Sequence, residues 1–213
     1  VENDWLRHAP DQSGRRIVRV WSEGANDPRF CSIRMTLDRL ARDSKFGEAL
    51  VEAAENGKQV DVLVELKARF DEENNIEWSR RLERAGCHVI YGVDKLTVPS
   101  KPCLITRKTD AGIQYITQIG TGNYNEKTSR LYTDLSYITA RDEIGEEALQ
   151  VFQALMLGET VDHMSVLLVA PHCLHDKLID MIDGESRKAT AGQKGPLRPK
   201  VNRPTDKMLV DKH

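Results

Sequence analysis

Apolar and polar positions alternate in three short stretches of the first half of the chain. Ile33, Met35 and Leu37 alternate with polar residues, which is typical of a strand. Residues 60–66 are rich in branched side chains and predict a second strand, and residues 87–91 predict a third. These three segments are the expected centre of a sheet.

Helical periodicity separates the three predicted strands. Asp43-Ser44 is suited to cap the first helix, and Asn56-Gly57 is suited to end it in a left-handed conformation. The second helix begins with the acidic turn Asp71-Glu72-Glu73 and stops at Gly86. Strands and helices that alternate at this spacing predict parallel strands with right-handed crossovers, so the fold class is α/β.

The next segment predicts antiparallel strands, which makes the sheet mixed. Residues 103–107 and 113–119 flank the turn residues 109–112, a pattern typical of a hairpin. Apart from Tyr124, residues 120–125 are small or carry amides, and the segment predicts a turn. A helix through residues 144–155 is expected to close the first domain.

A second unit is predicted after the linker Gly158-Glu159-Thr160. Residues 164–170 form an apolar stretch that predicts a new strand, and residues 174–182 have helical spacing. Too few residues follow to bury a second sheet. The predicted organisation is a loosely ordered lead-in at 1–30, a first domain at 31–158 and an incomplete second domain at 159–213.

Charge and composition narrow the classes of function. The 31 basic and 33 acidic residues nearly cancel, so the general basic surface of a nucleic-acid-binding protein is not expected and any anion site must be local. No apolar run approaches the roughly 20 residues that span a bilayer. The four cysteines have no paired spacing and the first residues do not resemble a secretory signal, which favours the reducing cytoplasm.

Two arginines follow the ends of predicted parallel strands. Arg39 comes just after the first strand and Arg69 just after the second. Parallel sheets bind ligands at the carboxyl ends of their strands, where both arginines would lie. Spacing alone favours two solvated arginines over a phosphate site.

Several segments of the chain closely resemble the bacterial polyphosphate kinase family. They are Arg39, Lys67-Ala68-Arg69-Phe70-Asp71-Glu72, Gly120-Thr121-Gly122-Asn123-Tyr124-Asn125, Arg130-Leu131-Tyr132-Thr133-Asp134 and Leu167-Leu168-Val169-Ala170-Pro171. The resemblance runs from about Ile33 to the end of the chain and is weaker over the first thirty residues. It implies a phospholipase-D-like fold, with the start of a second similar unit.

The resemblance also implies an activity. Members of the family are expected to transfer the terminal phosphate of ATP reversibly to polyphosphate, through a phosphohistidine and with Mg²⁺. ATP or ADP and polyphosphate would then be the partners of the chain. A homo-oligomer is compatible with the sequence, which does not specify the oligomeric state.

The nucleophile of the family is missing at its expected position. The resemblance places the histidine of a His-x-Lys motif at Pro99, two residues before Lys101. A proline nitrogen within the chain is a tertiary amide and cannot form a phosphoramidate. Ser100 would need a general base to replace it and is expected to point away from its neighbours. We therefore expect no phosphotransfer by this chain.

The remaining site residues are assigned by the resemblance. It places Arg39 and Arg69 beside Mg²⁺, but a guanidinium has no lone pair for a metal, so we expect them to contact phosphates that the metal bridges. Lys101 would neutralise charge on the phosphoryl group, and Tyr132 would contact the nucleotide. Asn123 and Asn125 would donate hydrogen bonds to phosphates, although turn formation also explains them.

Other departures from the family pattern bear on activity. The family usually has tyrosine at the position of Asp38 and leucine at that of Pro102, and three prolines at 196, 199 and 204 argue against a strand there. Two rival functions are compared with this prediction. Phosphodiester hydrolysis would need two His-x-Lys motifs, and this chain has none intact. A non-catalytic module that binds polyphosphate or nucleotide would need only Arg39, Arg69 and Lys101.

Overall fold

The computed structural model of the chain describes residues 5–9, 13–38, 40–65, 72–92, 101–125, 134–170 and 172–192. Its strands are β1 (Trp5–Ala9), β2 (Phe30–Leu37), β3 (Gln59–Val64), β4 (His88–Tyr91), β5 (Lys101–Thr109), β6 (Gly112–Gly120) and β7 (Asp134–Thr139). Its helices are α1 (Ser13–Asn26), α2 (Lys45–Glu55), α3 (Glu72–Arg84), α4 (Asp142–Leu157) and α5 (His172–Thr190).

The seven strands form one mixed sheet in the order β1-β7-β6-β5-β2-β3-β4. β2, β3 and β4 are parallel, and α2 and α3 are the crossovers between them. β5 is antiparallel to both β2 and β6. The predicted parallel strands, the hairpin and the mixed α/β sheet are therefore confirmed.

The two crossover helices begin and end where the sequence predicts. Ser44 caps α2 by accepting a hydrogen bond from the Gly47 backbone N–H, and Gly57 follows the helix with a φ of 75°. α3 has acidic residues in its first turn and arginines in its last, as the helix dipole favours, and Gly86 follows with a φ of 94°. These local signals place both helices before any packing is considered.

One face of the sheet packs with the helices to form the hydrophobic core. Ile33, Met35 and Val62 alternate along β2 and β3 and are at most 1% exposed. Leu50 of α2 and Leu82 of α3 lie in the core and are fully buried. Burial of this face explains why the period of two in the sequence is so regular.

The prediction of a loosely ordered lead-in over residues 1–30 differs from the structure. β1 pairs with β7, and α1 buries Trp21 in the core with 1% exposure. The Trp21 ring lies 5.1 Å from the rings of both Phe46 and Tyr124. Many charged residues lie between the apolar residues of α1, so its helical periodicity is hard to see in the sequence. The packing of α1 on the core makes its apolar face recognisable.

Two strand assignments need correction. β7 was not predicted. It has only six residues, and the sequence before it has no clear periodicity that would mark where a strand begins. Residues 164–170 were predicted to form a strand, but the structure has no strand there, and Val166 and Leu168 are each 41% exposed. A strand requires pairing with another strand, and this segment is not part of the sheet that the described residues form.

The chain divides into two compact units, Val1–Glu159 and Thr160–His213. The first contains the sheet with α1 to α4. In the second, α5 agrees with the predicted helix, whereas the segment 193–213 with its prolines lies outside the described residues. None of the described helices is both long enough and apolar enough to cross a membrane.

Candidate functional site

The predicted site residues fall into two groups. Lys101, Asn123 and Asn125 are described, and all three belong to the first unit. The other four lie outside the described residues, and their roles stay predictions: Arg39, Arg69, Pro99 and Tyr132. The chain immediately before Arg39 and immediately after Pro99 and Ser100 is nevertheless described, so the surroundings of the site can be built up.

Lys101 is the first residue of β5, and its side chain is almost completely buried. Only 4% of the side chain is exposed, and Nζ lies 3.8 Å from the Asp38 Oδ2 atom. A buried ammonium group is stable only beside negative charge and hydrogen-bond acceptors. Asp38, which follows β2 and is 25% exposed, supplies such a charge.

Asn75 joins the carboxyl ends of two parallel strands. Its Nδ2 atom donates to the Asp38 carbonyl at 2.5 Å and to the Glu65 carbonyl at 3.0 Å, and the residue is 2% exposed. The Glu65 N–H also donates to the Leu37 carbonyl. Arg39 follows the first of these ends by one residue and Arg69 follows the second by four, so Asn75 fixes the backbone just before both arginine segments.

Sequence reasoning missed Asn75, although a signal for it exists. In α3 the buried positions are Asn75, Trp78, Ser79 and Leu82, which share one helical face. An asparagine within an otherwise buried stripe must satisfy its amide, and adjacent strand ends offer free carbonyls. The position of Asn75 in this buried stripe therefore indicates that its side chain hydrogen-bonds the ends of neighbouring strands.

Tyr124 connects the turn after β6 to the start of β5. Its hydroxyl lies 2.8 Å from the Lys101 carbonyl and also contacts Gln118 Oε1, while Gln118 Nε2 donates to Ser136 Oγ at 3.0 Å. Burial raises the pKa of the Tyr124 hydroxyl well above its usual value, so it keeps its proton for donation. This network fixes the backbone of Lys101.

Asn123 and Asn125 form part of the same turn. The Asn125 N–H donates to the Asn123 carbonyl at 2.8 Å, and Asn125 is 8% exposed. The structure thus shows a turn-forming role for both residues. Their predicted contact with phosphates stays a prediction, as does the proximity of both to the two arginines.

Pro102 occupies a position where its missing N–H is tolerated. It is the second residue of β5 and stands opposite Ile119 of β6, whereas the pairing of β5 with β2 reaches only as far as Cys103. Proline is accepted at the start of a strand for this reason. The substitution alters the strand end beside Lys101 without breaking the sheet.

Comparison with known proteins assigns this arrangement to a family. Residues 1–161 match the family model "Polyphosphate kinase C-terminal domain 1". The chain belongs to the polyphosphate kinase family. Polyphosphate kinases of Bacillus cereus and Staphylococcus epidermidis are 45% and 44% identical to it over 212 residues, which is 100% of this chain but 30% and 29% of those proteins. The chain thus spans under a third of the length of these relatives.

Solved structures agree with this assignment. A polyphosphate kinase from Porphyromonas gingivalis superimposes with a TM-score of 0.85 at 37% identity, over 99% of this chain and 35% of that one. The phospholipase D family member Nuc from Salmonella typhimurium matches with a TM-score of 0.55 at 16% identity, over 78% of this chain and 100% of that one. At that identity the second match shows the fold alone, and the predicted phospholipase-D-like fold is confirmed.

The family match also includes the amino-terminal segment. The match begins at residue 1, so residues 1–30, which the resemblance covered less well, belong to the same family domain as the sheet. This agrees with the position of Trp21 in the core.

Proposed function

We propose that this chain is a phosphate-binding unit of the polyphosphate kinase family that has lost the phosphotransfer step. The substrates of the family, ATP and polyphosphate, are its proposed ligands. The observation that carries the proposal is the buried Lys101, which stands two residues after the expected nucleophile and next to the parallel strand ends. Phosphoryl transfer depends on such fixed positive charge beside the transferring group.

Pro99 is the reason for the proposed loss of turnover. The phosphohistidine route needs an imidazole nitrogen that attacks the γ-phosphorus of ATP while ADP leaves. The proline nitrogen has no free lone pair for this attack. A chain with Pro99 would hold phosphates without forming a covalent intermediate.

Arg39 and Arg69 are proposed as additional phosphate contacts, since both follow strand ends that Asn75 joins. Guanidinium groups bind phosphate oxygens through paired hydrogen bonds. Tyr132 is proposed to contact the nucleotide. These roles complete a cleft of local positive charge on a chain whose charges otherwise nearly cancel.

Mg²⁺ is the proposed cofactor of the family reaction. Among the described residues, no group of three histidine, cysteine, aspartate or glutamate side chains could hold a metal ion. Mg²⁺ prefers carboxylate, phosphate and water oxygens. The phosphates of ATP and polyphosphate are proposed to supply such oxygens to Mg²⁺ in the cleft.

The cytoplasm is the proposed compartment. The four cysteines all lie within the described residues and are free thiols. Burial raises the pKa of Cys87 to about 12, which suppresses its reactive thiolate form. Free thiols are the normal state in a reducing compartment.

Restoring the nucleophile tests the proposal. The chain and its Pro99→His variant are incubated with γ-³²P-ATP and Mg²⁺, and acid-labile label on the protein is measured. We expect label only on the Pro99→His variant, because its imidazole would lie beside an intact phosphate cleft. A Pro99→Ala variant is the matched control and should stay unlabelled.

Two outcomes would count against the proposal. Label on the chain with Pro99 would show that another residue acts as the nucleophile. Absence of label on the Pro99→His variant, together with absence of polyphosphate binding by the unmodified chain, would show that the cleft itself does not function.

A further inference from the structure

Asp38 and Lys101 form a charge pair at the edge of the proposed phosphate cleft. Lys101 Nζ lies 3.8 Å from Asp38 Oδ2, and the lysine side chain is 4% exposed whereas the aspartate side chain is 25% exposed. The distance is that of an ion pair rather than a short hydrogen bond. The carboxylate side chain is therefore more exposed to solvent than the nearly buried lysine with which it pairs.

The backbone holds Asp38 firmly in this position. The Asp38 carbonyl accepts a hydrogen bond from Asn75 Nδ2, and the preceding Leu37 carbonyl accepts one from the Glu65 N–H. On the other side, the Lys101 carbonyl is held by the Tyr124 hydroxyl. Both partners of the ion pair are thus attached to fixed strand ends, and their proximity follows from the fold.

A carboxylate beside a phosphate-binding lysine has a defined electrostatic effect. It cancels part of the positive charge that would attract a phosphate, and it repels the phosphate itself. A phosphate that contacts Lys101 must either displace the carboxylate or tolerate a like charge close by. Both effects lower the affinity for a polyanion.

We infer that Asp38 is an internal counter-ion of Lys101 that occupies the lysine in the absence of ligand and limits the affinity of the cleft for polyphosphate. The inference rests on the proposed function, because it takes Lys101 to be a phosphate contact. Asp38 then lowers the affinity of the cleft, because a phosphate must compete with its carboxylate for Lys101.

Polyphosphate affinity tests the inference. Binding of fluorescently labelled polyphosphate is measured by anisotropy for the chain and for its Asp38→Asn variant. We expect the variant to bind about tenfold more tightly at low salt, with the difference shrinking at high salt as the charges are screened. Asp38→Glu keeps the charge and should bind as the unmodified chain does.

A matched control separates this local effect from a change in net charge. Asp110 is exposed in the turn at the opposite end of β5, so Asp110→Asn removes the same charge far from Lys101. This control should leave the affinity unchanged. If Asp110→Asn and Asp38→Asn tighten binding equally, the inference is wrong.

Lysine variants distinguish failure of the inference from failure of the proposed function. Lys101→Met should weaken binding, and Lys108→Met, at the exposed end of the same strand, should not. If Lys101→Met weakens binding but Asp38→Asn has no effect, the proposed function stands and the inference falls. If Lys101→Met has no effect or no variant binds, both the proposed function and the inference are wrong.

A double variant tests the coupling of the two residues. In a Lys101→Met background the gain in affinity from Asp38→Asn should disappear, and a persistent gain would contradict the inference.

Thermal unfolding covers the case in which the Asp38→Asn variant is unstable. A variant that is unfolded in buffer and folded with polyphosphate supports the inference, because the ligand then replaces the missing negative charge. A variant that stays unfolded under both conditions contradicts it.

Discussion

Single polar residues at the strand ends organise the candidate site. Asn75, Tyr124 and Lys101 are each at least nine-tenths buried, and each makes a contact that a residue of a different shape could not make. Buried polar groups are costly unless they are paired, so these residues constrain the local backbone strongly. The identity of each of these side chains therefore determines whether the backbone at the strand ends has a fixed position.

Asn75→Asp should destabilise the chain and loosen the strand ends. The carboxylate cannot donate to the Asp38 and Glu65 carbonyls and places negative charge against both. We expect the free energy of unfolding to fall by about 3 kcal/mol, measured by urea titration. Polyphosphate affinity should fall with it, because the two segments that lead to Arg39 and Arg69 begin at these carbonyls.

The adjacent asparagine is the control for this prediction. Asn74 donates to the Leu40 carbonyl at 2.7 Å and is only half-buried. Asn74→Asp should cost about 1 kcal/mol and leave polyphosphate affinity nearly unchanged. Equal losses in the two variants would show that Asn75 has no special role at the strand ends.

Helices and strands determine where these residues meet. α2 and α3 have strong local start and stop signals, and α3 brings Asn75 to the strand ends in its first turn. A Cβ atom at Gly47 would collide with the Trp78 ring, so the two helices approach each other closely only because position 47 is glycine. β1 and β7 have weaker local signals. β1 pairs with β7, and β7 also pairs with β6.

Ser44→Ala tests how much a local signal contributes to the fold. The Ser44 side chain is fully buried and accepts a hydrogen bond from the Gly47 N–H at 3.4 Å. We expect the free energy of unfolding to fall by about 1 kcal/mol, as for other helix caps, in urea titration. Ser22→Ala, within α1 and away from any cap position, should have a smaller effect. No difference between the two variants would mean that this cap does not stabilise α2.

Contacts between distant parts of the chain hold the first unit together. Trp21 of α1 meets Phe46 of α2 and Tyr124 of the turn after β6, and all three rings are buried. Tyr124 in turn contacts the Lys101 backbone. The amino-terminal helix therefore supports the candidate site through two contacts, although it contributes no residue to it.

Trp21→Ala should destabilise the whole first unit. Removing the ring leaves a cavity between three elements, which typically costs about 3–5 kcal/mol. Urea titration followed by near-ultraviolet circular dichroism should show this loss, and Trp21→Phe should lose less because it keeps an aromatic ring in place. Met181→Ala, a substitution of a residue that is 57% exposed in the second unit, should be close to neutral. A small effect of Trp21→Ala would mean that α1 is dispensable for the fold.

The parallel strands, their crossover helices and the hairpin all follow from local patterns in the sequence. These elements have periods of two or 3.6 residues and local caps or turns, which act between residues close in the chain. The same local patterns marked the two arginines at strand ends. The resemblance to a family added the expected nucleophile position, where Pro99 stands, and the assignment of Lys101.

In contrast, which polar residues meet and which apolar stretches pair depends on the three-dimensional fold. Asp38 and Lys101 are 63 positions apart by their numbers and become an ion pair because β2 and β5 are neighbours in the sheet. β1 exists because it pairs with β7, whereas residues 164–170 have a strand-like sequence and no strand. Pairing and burial are long-range interactions, so a local pattern alone cannot specify them.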